Sequence, residues 1–164
     1  MTLIHTMGDE GGGCIKLAER VPSSVKATTL GILHEAWNGD YYYAEDGRKF
    51  GIRPVGGHDL KPRWLWWILA NTVFNPIREY CVQPVELGPH PISEIKETIL
   101  RWADSDDDIL TQFLDGRQIE YLLDQAKTFD GIVLAVRAIL GEHEKDAGFK
   151  ELLQRLGVPD LEVD

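Results

Sequence analysis

The chain is expected to be α+β: a small antiparallel β-sheet from the N-terminal half, packed against a helical C-terminal half. Three observations point there. Before about residue 60 the apolar runs are short and set among Gly, Thr and Tyr, as in strands and turns. Asp46-Gly47 separates two β-rich runs. Beyond Pro91 the apolar residues recur at spacings of three and four, the period of amphipathic helices. With 164 residues, 43% of them hydrophobic and 27% charged, the chain is expected to form a single domain, 1–164, β-rich over 1–88 and helical and acidic over 89–164. A chain of this length buries enough surface to need no disulfide staple.

Gly8 to Gly13 is expected to be a turn or loop, followed by a strand in which Cys14-Ile15-Lys16-Leu17 alternates. Thr28 to Leu33 suits a second strand, although Lys26 to Trp37 also suits a short helix. Tyr41 to Glu45 and Arg48 to Ile52 form a hairpin around Asp46-Gly47, with a type I′ turn because both residues tolerate positive φ. Pro62 then precedes Arg63-Trp64-Leu65-Trp66-Trp67-Ile68-Leu69-Ala70, apolar on every side and slightly favoured as helix. Trp67 and Ile68 are expected in the core, so that Trp67→Ala costs about 3–5 kcal/mol. Arg78 to Leu87 is a strand, and Pro84 argues for an edge position.

The helices follow. Ile92, Ile95, Ile99 and Trp102 share one face; Ile109, Leu110, Phe113 and Leu114 repeat the pattern. So do Ile119, Leu122, Leu123 and Ala126, then Ile132, Val133, Val136, Ile139 and Leu140. The last helix carries Phe149, Leu152, Leu153 and Leu156 and stops at Gly157, with Pro159 beyond. The tryptophan segment and the inner face of the sheet are the expected apolar partners of these helices.

The charge is uneven. From Trp102 to Asp164 there are 15 acidic and 6 basic side chains, a balance of −9; from Met1 to Arg101 there are 12 and 11, a balance of −1. An acidic surface of this size repels phosphate backbones and attracts basic partners. Arg48, Lys49, Arg53, Lys61 and Arg63 make only a modest basic cluster, so a nucleic-acid partner is not expected. Nor is a membrane: no signal peptide is expected, since Met1 to Met7 lacks a basic region followed by a long apolar run, and the longest apolar run, Trp64 to Ala70, is far short of a span. Cys14 and Cys81 suit reduced core thiols in a cytoplasmic protein.

Several stretches approach known chemistry and miss it. Asp104-x-Asp106-x-Asp108, with Asp115 closing the loop, resembles the calcium loop of EF-hand proteins. Ile109 stands where glycine makes the sharp turn, and Asp115 replaces the longer glutamate. The same residues suit a helix start, with Ser105 and Asp108 as a capping box, and no calcium or other metal is expected. Gly8 and Gly13 have phosphate-loop spacing, but Cys14 and Ile15 follow instead of Lys and Ser or Thr. His34-Glu35 lacks a second histidine at Asn38. Glu142-His143-Glu144 suits a solvated charge cluster. A cysteine nucleophile would need Cys14 or Cys81 beside His34, His58 or His90, which nothing local supports. No catalytic residue and no cofactor is therefore assigned.

The expected function is a small acidic protein-binding inhibitor, most concretely an immunity protein that occludes the active site of a basic toxin such as a nuclease. Asp106, Asp107, Asp115, Glu120 and Asp124 are its expected partner-binding residues, Glu120 and Asp124 sharing one helical face. The alternatives are a homo-oligomeric structural or regulatory module joined through the tryptophan segment, and a small hydrolase.

Overall fold

The computed structural model describes residues 1–9, 12–33, 39–55, 62–72, 75–104 and 110–161. It is α+β, with a curled antiparallel sheet from the N-terminal half and helices in the C-terminal half. In chain order the elements are β1 (Leu3–Asp9), β2 (Gly12–Ala18), β3 (Ser24–Thr28), α1 (Thr29–Leu33), β4 (Tyr41–Ala44), β5 (Arg48–Pro54), α2 (Arg63–Thr72), β6 (Ile77–Pro89), α3 (Ile92–Ala103), α4 (Gly116–Gln125), α5 (Phe129–Ile139) and α6 (Ala147–Arg155). The six strands lie in the order β2-β1-β4-β5-β6-β3.

Alternation along the strands gives the sheet two buried faces. Ile4 on β1, Ile15 on β2 and Tyr43 on β4 join the core formed with the C-terminal helices, where Ile95, Ile99, Trp102, Ile119, Leu123, Ile132 and Leu153 are buried. Leu3, Tyr42 and Ala44 point the other way, into a smaller core with Ile52 and Val82, against which Trp66 of α2 packs. Among the described residues the helical layer is thus covered by the sheet, and α2 lies against the opposite face.

That placement overturns the expectation for the tryptophan segment. Trp67 is 51% exposed and Ile68 45%, and Trp64 and Leu65 are exposed beside them. Residues 63–72 are helical, but a ten-residue helix on a small core buries one stripe. Trp66 fills that stripe, and the guanidinium of Arg78 sits 5.3 Å from its ring centroid.

Strand β1 has no clean alternation, because polar His5 and Thr6 are both buried, at 3% and 1% exposure, on opposite faces of an interior strand. The hairpin of β4 and β5 forms, with Tyr43 opposite Lys49. Its turn is not type I′: Gly47 alone has positive φ, at 82°, and its N–H donates to the Ala44 carbonyl at 3.0 Å. The Asp46 carboxylate accepts from the Arg48 backbone N–H at 3.2 Å, which leaves the left-handed position to the glycine. Strand β6 is interior, not an edge, although the stretch holding Pro84 pairs only with β5, since β3 reaches no further than Cys81. Cys81 is exposed and Cys14 half-buried, both free, so neither is a core thiol.

In the helical half, residues 110–114 form turns rather than the expected helix, although Leu110 and Leu114 are buried. Phe113 there packs on Gly141, where an added Cβ would fall 2.7 Å from the Phe113 ring. The capping box sits at the start of α4: Gln118 N–H donates to Asp115 Oδ1 at 2.8 Å, and Asp115 N–H donates to Gln118 Oε1 at 2.9 Å. Such a cap is worth about 0.5–2 kcal/mol. The box expected at Ser105 and Asp108 lies outside the described residues. His143 is 3% exposed, not solvated; its single 3₁₀ turn, Glu142–Glu144, packs on α6 and α5. Gly157, at φ 77°, ends α6 with N–H bonds from Gly157 to the Gln154 carbonyl and from Val158 to the Leu153 carbonyl.

Candidate functional site

Asp106 and Asp107 lie outside the described residues. Glu120 and Asp124 are exposed on α4, and Asp115 is exposed at its N-cap. They do not act alike. Asp115 is engaged as the cap of α4 and lies 3.7 Å from Arg117 Nη2. Glu120 and Asp124 make no ion pair among the described residues. Asp115 and Glu120, with Asp104 at the end of α3, line a cleft of about 520 Å³ that also contains Leu100, Gly116 and Arg117. The α3–α4 junction therefore holds three carboxylates around one concavity, with Asp124 one turn beyond Glu120. Asp104 belongs to this group by place; the sequence marked it only as the first ligand of a failed calcium loop.

A second cleft, of about 490 Å³, opens where α3 crosses β1, β4 and β5 on the helical side of the sheet. Tyr41 and Tyr43 alternate on β4, and the register sets Lys49 of β5 opposite Tyr43. Lys49 Nζ lies 3.9 Å from the Tyr41 ring centroid and donates to Glu94 Oε1 of α3. The same oxygen accepts from the Tyr43 hydroxyl at 3.3 Å. Burial, and then the Glu94 charge, push the Tyr43 phenol well above its ordinary range, so it stays a donor at any moderate pH. Thr6, Thr98, Arg101 and Trp102 complete the wall, with Gly8 and Gly39. A Cβ at Gly39 would fall 2.4 Å from the Gly8 carbonyl oxygen, so only glycine allows the two backbones to meet there. None of these residues was singled out as a site from sequence. The signal that existed was the shared face of Tyr41, Tyr43 and Lys49 across the Asp46-Gly47 turn.

On the opposite face, His5 stacks on Tyr42 at 3.9 Å between ring centroids, and its Nε2 lies 3.9 Å from Asp40 Oδ2. Burial, with Lys16 next in effect, lowers the His5 pKa to about 4; burial raises that of Asp40 to about 6, against the pull of Lys16. At no pH are both mainly charged, so this contact is not an ion pair. Tyr42 is raised to about 12 by burial and by Asp40. Cys14, also near Lys16 and Asp40, is raised by burial, which keeps it a thiol rather than a nucleophilic thiolate. His90 stacks edge-on against Tyr43 at 4.6 Å, and His34 and His58 lie outside the described residues.

Among the described residues no three His, Cys, Asp or Glu side chains gather as metal ligands, and no helix is long and apolar enough to cross a membrane. No family model matches the chain, and neither a curated protein nor a solved structure matches it.

Proposed function

We propose that this chain is a small acidic protein-binding inhibitor that engages a basic partner through the α3–α4 junction, as an immunity protein would engage a toxin such as a nuclease. The observation that supports it is the cleft bordered by Asp104, Asp115 and Glu120, extended along α4 by Asp124. Glu120 and Asp124, without an ion pair among the described residues and four apart on one helix, repel each other mildly and gain only when positive charge arrives. The balance of −9 over residues 102–164 adds a long-range field that steers a basic protein toward this end. A partner recovered by pull-down from the native host supplies the test. Neutralising Asp104, Glu120 and Asp124 together is expected to slow its association about tenfold or more at low salt and to flatten the salt dependence, with folding intact. Association indifferent to salt and to all three changes would leave the acidic layer a solubilising surface.

One observation favours a second reading, the homo-oligomeric module. Trp64, Leu65, Trp67 and Ile68 form an exposed apolar face on α2, a helix with no acidic residue, on the side of the sheet away from the acidic layer. Two copies, each with net charge −10, approach there with least repulsion. Sedimentation is then expected to show a concentration-dependent dimer that Trp67→Glu abolishes; a monomer at all concentrations removes this reading.

A further inference from the structure

We infer that the cleft between α3 and strands β1, β4 and β5 is a binding site for a small organic anion bearing a carboxylate or phosphoryl group, held by Lys49 and Arg101. The site is separate from the acidic junction and does not depend on it.

The inference rests on a count of donors and acceptors. The cleft has one carboxylate, Glu94, and its Oε1 already accepts from Lys49 and from the Tyr43 hydroxyl. An ammonium has three N–H donors, and Lys49 gives one of them to Glu94. Its position over the Tyr41 ring holds the group in place. Arg101, in the last turn of α3, lines the same cleft and makes no ion pair among the described residues. A guanidinium offers five donors in a planar fork that matches a carboxylate or phosphate edge. Among the described residues, two cations against one engaged carboxylate leave the cleft with a surplus of positive charge and of N–H donors, which suits an anion.

A buried hydroxyl also lines this space. Thr6 is 1% exposed, and its hydroxyl lies beside that of Tyr43. Thr98 gives its own hydroxyl proton to the Glu94 carbonyl at 2.9 Å, which leaves its oxygen as an acceptor for a ligand hydroxyl. The volume, about 490 Å³, falls within the range of metabolite sites. Trp102, 3% exposed, forms an apolar wall for the body of the ligand. The chain as a whole is strongly acidic, so an anion enters against the net field; the local pair of cations has to overcome it, and selectivity for a small ligand over a polyanion follows.

The test is titration of the full-length protein with inorganic phosphate and, separately, with sodium acetate, followed by amide and indole N–H chemical shifts. Saturable shifts at Thr6, Lys49, Arg101 and Trp102 are expected, with a dissociation constant of about 1–10 mM for the better of the two ions. Saturation by one ion alone identifies which group the site takes. Arg101→Gln is expected to weaken binding about tenfold while the remaining shifts stay native, since Arg101 is exposed and makes no ion pair among the described residues. Lys49→Gln is expected to weaken it at least as much. No saturation by either ion up to about 50 mM overturns the proposal, as does saturable binding that Arg101→Gln leaves unchanged.

Discussion

Replacing Trp102 by alanine is expected to cost about 3–5 kcal/mol, and replacing Trp67 by alanine less than about 1 kcal/mol. The two indoles lie in oppositely built surroundings. Trp102 closes the last turn of α3 at 3% exposure, and its ring lies so close to the β1–β2 hairpin that a Cβ at Gly13 would fall 2.6 Å from it. Truncation leaves a cavity bounded by strand backbone on one side and by Ile95 and Ile99 on the other, neither of which collapses freely. Trp67 is half in water already, and its loss mainly removes surface from solvent contact. Urea denaturation of the two variants, with midpoints compared at equal slope, decides the matter. Equal losses would mean that α2 is buried against something else in solution.

The second large effect concerns acid. Asp40→Asn is expected to stabilise the protein by about 1–3 kcal/mol at pH 7.5 and to make it lose stability as the pH falls from 6.5 to 4. Asp40 titrates at about 6 in the fold against an ordinary 3.8, so above pH 6 the folded state carries a charge that burial disfavours. Through this group alone, stability rises as the pH falls from 6 to 3.8. His5 acts in the opposite direction. Its pKa is about 4 in the fold against 6.5, so between those values the unfolded chain takes up a proton that the folded one refuses, and stability falls on acidification. In the wild type the two slopes largely cancel between pH 6 and 4; the asparagine removes only the first. Lys16, Tyr42 and Cys14 also face this group, and burial keeps the Tyr42 phenol and the Cys14 thiol protonated throughout the window. Denaturation midpoints at several pH values test the claim. A variant that is less stable at pH 7.5, or that parallels the wild type on acidification, contradicts it.

How much of this was legible beforehand depends on whether a residue's environment is set by its near neighbours. Ile95, Ile99 and Trp102 announced a helix and its buried face together, because a period of 3.6 encodes both. Asp46-Gly47 announced a hairpin, but which of two turn geometries it takes depends on where the Asp46 carboxylate finds a donor. Trp67 misled because a segment apolar all round says that burial is available, not which element supplies it. Strand β1 left no trace because both its faces are covered and two of its buried residues are polar. Of the expected partner-binding residues, Glu120 and Asp124 are exposed on α4, while Asp115, exposed just before it, serves α4 as its cap. The anion cleft was legible only in part. The Asp46-Gly47 turn relates Tyr41 and Lys49, but Thr6 and Arg101 come from two further elements that no local spacing joins to them.

The strand order has a kinetic meaning. Strand β3 is the third to emerge in the chain, yet it sits at the far edge of the sheet, with Ser24 opposite Cys81. Its partner β6 is therefore made only after β4 and β5, and the loop between Thr28 and Ile77, about fifty residues, must close before a single rung forms. The β1–β2 and β4–β5 hairpins, whose turns are local, have no such wait. Assembly is thus ordered: the hairpins and the helical layer come early, and the five-residue edge strand docks last. An edge that docks last is also the one that opens first, so transient exposure of the sheet to neighbouring molecules begins at β3, beside Glu79 and Lys26.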